Sequence, residues 1–179
     1  MKNTVLLVVD VQNALIAKQP YRGQELLENI GVLTGACRES GIEVVYVRHD
    51  GSARGMLVPG TTEWEIVSAI APLPGERIFD KRFCSSFQET GLEKYLKEKE
   101  ARQLILTGMQ TEYCIDATCK AAFERGYRVV VPEGATSTFD NPFLTGRQLC
   151  EFYENLIWRP CFAGVMPVPE LLKRIPADK

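Results

Sequence analysis

The sequence predicts an α/β fold in which a parallel sheet carries helices on both faces. Two observations support this. Apolar stretches of strand length alternate along the chain with segments whose apolar residues recur at helical spacing. The strand-like stretches are also continuously apolar, which is how strands covered on both faces read. Strands separated by helices imply βαβ units and parallel pairing. The chain has 179 residues, with no internal repeat, low-complexity stretch or linker. It reads as one domain, residues 1–179, large enough to bury a core without staples.

Val5–Val9 (VLLVV) is the first buried strand. Leu26, Leu27, Ile30, Leu33 and Cys37 follow on one helical face, and Gly41 stands where that helix should stop. Ile42–Val47 is the second strand. The Thr62-Glu63-Trp64-Glu65 pattern is a capping box and predicts a short helix. Ile78-Phe79 forms a short third strand, and Thr90-Gly91-Leu92-Glu93 repeats the capping pattern before a helix carrying Tyr95 and Leu96. Gln103–Thr107 is the fourth strand. After Gly108, a helix is expected from about Glu112 to Arg125, stopped by Gly126. Tyr127–Val131 is the next strand. Asn141-Pro142 is expected to start a helix whose face is Leu149, Phe152, Tyr153 and Leu156. A strand near Ala163–Met166 and a helix near Pro169–Lys173 close the chain.

Composition narrows the function. Hydrophobic residues make up 45% and charged residues 25%, an ordinary globular balance that excludes disordered, collagen-like and rod-like chains. The net charge of −2 lacks the basic footprint of a nucleic-acid binder. The longest apolar run, Val5–Val9, is far short of a membrane span, and the N-terminus does not read as a signal peptide. A cytoplasmic protein is expected. Six cysteines are present, but no CxxC pair, and His49 is the sole histidine, so neither a disulfide framework nor a structural zinc site is indicated.

Parallel sheets place their sites at the carboxyl ends of strands. The first strand runs into Asp10, a carboxylate half buried by its position. Alone it reads as a general base or metal ligand, or equally as a loop cap. The third strand runs into Lys81, which could hold a carboxylate ionised or stabilise developing negative charge; alone it reads better as a solvated surface lysine. The fourth strand leads through Gly108 and Thr111 to Cys114. With Thr111 as N-cap, Cys114 falls in the first turn of a helix, where the dipole would lower its thiol pKa and favour the thiolate. The competing reading is a buried packing cysteine. Cys37, Cys119 and Cys150 read as small core residues; Cys84, near the Lys81 loop, reads as packing with site lining the alternative, while Cys161 carries no signal. His49 reads as a hydrogen-bonding structural residue, with substrate binding the alternative. Trp64 reads as a pocket wall or as an anchor for its helix. The absence of GxGxxG, of GxxxxGK[ST] and of a G-x-S-x-G elbow argues against dinucleotide binding and serine hydrolysis.

Taken together, four segments resemble the isochorismatase-like cysteine hydrolases, which include nicotinamidases, N-carbamoylsarcosine amidohydrolases and ureidoacrylate amidohydrolases. They are VVDVQNAL (8–15), VVYVRHD (44–50), FDKRFCSSF (79–87) and GMQTEYCIDATCKAAFERGY (108–127), in order over nearly the whole chain. The resemblance implies a Rossmann-like three-layer α/β/α sandwich with a six-stranded parallel sheet. It implies a catalytic triad of Asp10, Lys81 and Cys114. It also implies a non-proline cis peptide at Met109–Gln110 that aims the Gln110 N–H, with that of Cys114, at an oxyanion. Leu15, Trp64 and Tyr113 occupy positions resembling the family's substrate-binding wall.

The resemblance further implies hydrolysis of a small amide or ureido C–N bond through a thioester, with no metal or organic cofactor. The partners implied are a small-molecule amide or ureide substrate and a second copy of the chain, as homodimer or homotetramer. The stretch from Trp158 to Lys179 is the expected contribution to that interface. The chain departs from metal-binding nicotinamidases, whose histidines beyond the second strand are absent here, which puts nicotinamide in doubt as substrate. Two alternatives stand beside this reading. One is a vinyl ether hydrolase of the isochorismatase type that does not use the thiol. The other is a redox-sensing or binding protein that turns nothing over.

Overall fold

The computed structural model describes residue 1 and residues 3–175. In chain order the elements are β1 (Thr4–Val9), α1 (Asn13–Ile16), α2 (Gly23–Glu39), β2 (Glu43–His49), β3 (Arg77–Lys81), α3 (Leu92–Glu98), β4 (Gln103–Met109), α4 (Asp116–Glu124), β5 (Arg128–Glu133), β6 (Thr136–Ser137), α5 (Gly146–Phe152), β7 (Gly164–Pro167) and α6 (Val168–Leu172). The sheet runs β3-β2-β1-β4-β5-β7, every pairing parallel, so six strands form the continuous sheet. The two-residue β6 adds a seventh strand beside the end of β4.

The continuous apolar run of β1 is explained by its central place between β2 and β4. Its alternate residues serve two cores. Leu6 and Val8 join Leu26, Ile30 and Leu33 of α2 and Leu171 of α6 on one face. Val5, Leu7 and Val9 join Leu92 and Leu96 of α3, Cys119 and Ala122 of α4, and Trp158 on the other. This is a three-layer α/β/α sandwich, in which strand side chains alternate between the two helical layers. Strand order turns back between β1 and β4, and such a reversal opens a crevice at the carboxyl ends of the two strands.

Four local expectations are corrected. The Thr62–Glu65 capping box opens no helix. Its backbone is used by the segment after β1: Asn13 and Ala14 N–H donate to the carbonyls of Glu65 and Glu63, and Gln12 bridges Ile66 in antiparallel fashion. Helix α5 starts at Gly146 rather than at Pro142, because Thr145 and Gln148 make a reciprocal capping box there. The Asn141 carboxamide oxygen instead accepts the N–H groups of Phe143 and Leu144, a local turn that competes with helix initiation. The expected face is apolar only in part: α5 ends at Phe152 and the chain continues as a π-helical segment over Tyr153–Phe162, with Leu149 buried while Phe152 and Leu156 are exposed. Finally, Thr111 is not a helix cap. Gln110 holds the cap position of a single π-helical turn, Thr111–Ile115, that precedes α4. The Thr111 hydroxyl is turned inward to Thr136 and Cys150.

The C-terminal stretch spends its apolar residues on this chain's own core: Trp158, Val165, Val168, Leu171 and Ile175 are all buried. Residues 176–179 of that expected interface lie outside the described residues. Among the described residues, no helix is long and apolar enough to cross a membrane.

Gly108 is required where β4 passes β1. Its φ is 123°, and a Cβ there would stand 1.9 Å from the carbonyl oxygen of Val9. Neither backbone can yield without breaking the ladder that positions Asp10. Gly108→Ala is expected to destabilise the protein by more than about 3 kcal/mol, or to prevent folding. Urea denaturation checks this, and a variant within about 1 kcal/mol of the parent would contradict it.

Candidate active site

The site is built from strand ends. Asp10 directly follows β1 in the left-handed region, at φ 55°, a conformation aspartate tolerates better than most residues. Its N–H donates to the Val47 carbonyl at 2.9 Å, so the chain leaves the β1 ladder while the side chain stays buried. Lys81 ends β3, in register with His49 at the end of β2. Strand β2 lies between β3 and β1, so roughly 10 Å separate Lys81's strand from Asp10's at ordinary strand spacing. Only a long side chain spans that distance. The Lys81 ammonium reaches Asp10 Oδ2 at 2.6 Å, and its side chain is 0% exposed. Cys114 enters from beyond β4, on the π-helical turn.

The ammonium is the hub. Besides Asp10, Lys81 Nζ lies 3.1 Å from Cys114 Sγ, 3.1 Å from the Phe83 carbonyl oxygen and 3.2 Å from His49 Nδ1. Three N–H bonds thus face four acceptors. The donor atoms of Asp10, His49 and Cys114 lie within 4.8 Å of one another, the spacing of a metal-ligand trio, but here each contacts the lysine. Asp10 Oδ1 is buried and has no protein hydrogen-bond partner. It is a free acceptor next to a thiol.

The charge states follow from these surroundings. Burial works against the Lys81 ammonium, but Asp10 and then Cys114 more than offset it, holding its pKa above the ordinary lysine value. Burial, and then the Lys81 charge, push His49 below its usual range, so it is neutral at pH 7. Cys114 departs from the expectation of a depressed thiol. Burial first, and the Asp10 carboxylate second, raise its pKa despite the nearby lysine. The Asp10–Lys81 pair is already neutral, so a thiolate would add an uncompensated negative charge in a place short of water. The single helical turn does not outweigh that cost.

A cavity of about 340 Å³ opens onto Asp10 and Cys114. Leu15, Gln110 and Tyr113 line it, with Leu15 buried and Tyr113 exposed. The Met109–Gln110 peptide is cis. Trp64 does not line the cavity. It is buried behind it, with the Arg48 guanidinium 3.5 Å from its ring centroid, where it anchors the loop that received the capping-box expectation. Cys84, read as packing with site lining as the alternative, is exposed and lines the cavity. His49 also lines it while holding Lys81, combining the two roles considered for it.

Gln12 was not singled out by sequence reasoning. It is fully buried, and its carboxamide donates to the carbonyls of Trp64 at 2.8 Å and His49 at 3.2 Å while accepting the His49 N–H at 2.9 Å. It ties the end of β2 to the segment after β1. Its only signal in the sequence was a two-sided hydrogen-bonding side chain three residues beyond a buried strand.

Comparison with known proteins bears on the family and the fold. The family model described as the isochorismatase domain matches residues 4–145. A streptothricin hydrolase of Streptomyces noursei is 34% identical over 139 residues, covering 76% of this chain and 50% of that protein. The ureidoacrylate amidohydrolase RutB of Methylorubrum extorquens is 27% identical over 179 aligned residues, covering 79% of this chain and 72% of that protein. A cysteine hydrolase structure from Pseudomonas syringae pv. phaseolicola 1448A superposes with a TM-score of 0.89 at 25% identity, covering 97% of this chain and 92% of that one. The chain spans about half the length of the streptothricin hydrolases it matches.

A protonated resting thiol has a measurable consequence. Alkylation of Cys114 in the free protein is expected to rise with pH well above the ordinary thiol range near 8.5. Asp10→Asn removes the neighbouring negative charge and leaves the lysine, so the midpoint is expected to move down by at least about one pH unit. Mass-spectrometric mapping of alkylation rate against pH checks both. A midpoint below about 8 in the parent protein would contradict the assigned charge state.

Proposed function

The chain belongs to the isochorismatase family, and on that premise we propose that it hydrolyses a small-molecule amide or ureido C–N bond through a thioester on Cys114. The observation that carries this reading is the buried cluster itself: Asp10 with a free carboxylate oxygen, Lys81 in contact with both Asp10 and Cys114, and a cavity opening onto the thiol. A base beside a nucleophile, with a cation to balance the charge, is the arrangement nucleophilic catalysis requires.

In this mechanism the substrate carbonyl enters above Sγ. Asp10 takes the thiol proton as the C–S bond forms, so the negative charge passes to the carbonyl oxygen rather than resting on sulfur. The Gln110 and Cys114 N–H groups receive that oxyanion. Lys81 stays protonated and keeps Asp10 in place. Collapse of the tetrahedral species breaks the C–N bond, and Asp10 returns its proton to the departing ammonia or amine. Water then gives a proton to Asp10 and attacks the thioester. Breaking the C–S bond releases the acid, and the proton returns to the thiol. A thiol that stays protonated until substrate arrives fits a base used once in each half-reaction. No step in this scheme calls on a metal or organic cofactor.

The reading takes residues 1–179 as one cytoplasmic domain. It includes self-association as a dimer or tetramer, for which Phe143 and Leu156, 90% and 65% exposed, are the most open large apolar side chains among the described residues.

A panel of small amides and ureides assayed for ammonia release tests the proposal. For any compound cleaved, Cys114→Ala and Asp10→Asn are each expected to lower kcat/KM by at least about a thousandfold. A covalent acyl adduct on Cys114 should be seen by mass spectrometry. Full turnover by Cys114→Ala would move the assignment to thiol-independent ether hydrolysis. A reactive Cys114 with no turnover would move it to a binding or redox-sensing protein.

A further inference from the structure

The charges around the cavity do not cancel. Its floor carries the Asp10–Lys81 pair, at 2.6 Å. Its rim carries Asp50 and Arg82, paired at 3.0 Å. The Asp50 carboxyl is held down to about 2, first by hydrogen bonds from Ser52 and then by Arg82, so it is ionised at any working pH. His49 is neutral and Cys114 protonated. One charged residue in the lining is left over. Arg54 has no acidic partner and no side-chain hydrogen bond among the described residues.

Arg54 is also placed by its backbone. It ends a single 3-10 turn, Ser52–Arg54, in which its N–H donates to Gly51 at 2.8 Å and the Gly55 N–H to Ser52 at 2.9 Å. The loop is closed by Gly51 N–H to the Leu57 carbonyl at 3.2 Å. Gly51 is needed for this closure, since a Cβ there would stand 2.6 Å from the Met56 carbonyl oxygen. The loop therefore presents Arg54 at one side of the cavity, with Met56, Leu57 and Phe83 forming apolar wall. The lining thus combines the Asp10–Cys114 cluster, apolar wall and one unpaired guanidinium.

We propose that Arg54 sets the substrate class: a small amide or ureide that carries a carboxylate away from the bond to be cleaved. This rests on the hydrolytic reading above. A guanidinium grips a carboxylate with two parallel N–H donors, which orients as well as attracts. A monoanion brings the cavity to neutrality, whereas with a neutral or cationic ligand the charge of Arg54, which is exposed, is answered by solvent alone. The small cavity volume favours a short spacer between the two ends.

Two experiments with the full-length protein test this. The first needs no turnover. Cys114 is alkylated with iodoacetate and with iodoacetamide, and the rate ratio is divided by the same ratio for 2-mercaptoethanol. The parent protein is expected to favour the anionic reagent about tenfold over the free thiol, and Arg54→Gln to abolish most of that preference. An unchanged ratio in Arg54→Gln overturns the proposal. The second compares N-carbamoyl-β-alanine with propylurea, which share a carbamoyl group and a three-carbon chain and differ in the carboxylate. The acid-to-neutral ratio of kcat/KM is expected to exceed about ten in the parent and to fall about tenfold in Arg54→Gln. Equal kcat/KM for the two compounds in the parent also overturns it. Cleavage of neither compound counts against the hydrolytic reading, and the alkylation ratio then decides the role of Arg54 by itself.

Discussion

Lys81 holds a full positive charge where water does not reach it, and most of the carboxyl edge of the sheet is arranged around that fact. Its ammonium has a carboxylate, a thiol, an imidazole and a backbone carbonyl within hydrogen-bonding distance. An isolated buried ion of this kind costs several kcal/mol, and removing one partner of a buried pair commonly costs about 3–5 kcal/mol. The cluster therefore needs β3, β2, β1 and the turn after β4 in one arrangement. Structural integrity and the proposed chemistry rest on the same contacts.

That coupling explains the supporting residues. Gly108 lets β4 lie against β1 closely enough for Asp10 and the turn after β4 to share one crevice. Gln12, in the loop beyond β1, holds His49 at the end of β2 through two hydrogen bonds and the Trp64 carbonyl through a third, which fixes His49 against Lys81. Arg48, bound to Asp80 at 2.8 Å and lying on Trp64, covers the opposite side of the same strand ends. None of these groups need touch a substrate. They determine where the groups that do so can stand.

The thiol shows how a local rule gives way to its surroundings. A cysteine early in a helix ordinarily has a lowered pKa, because the backbone dipoles favour the thiolate. Here the turn is a single π-helical one, and the nearest full negative charge is Asp10, already balanced by Lys81. In the proposed mechanism, the same carboxylate that resists a free thiolate accepts the proton as the negative charge moves on to a carbonyl oxygen, and reactivity is thereby tied to the presence of an acyl group.

Much of this protein could be read from the order of its residues. The continuous apolar runs at β1 and β4, the helical spacing in α2 and the glycines that end helices determined the α/β class and its parallel sheet, because burial on two faces and on one face leave different periodicities. Asp10, Lys81 and Cys114 stood out as candidates because they lie at or shortly after the carboxyl ends of strands, where parallel sheets place their sites. The helix starts at Thr62 and Pro142 failed where longer-range or stronger local hydrogen bonds claimed the same backbone. The protonation of Cys114, the anchoring role of Trp64, the clamp made by Gln12 and the unpaired charge of Arg54 belong to the tertiary structure alone. Each depends on the distance between groups far apart in sequence, and electrostatic and hydrogen-bond energies are set by that distance, which no local pattern encodes.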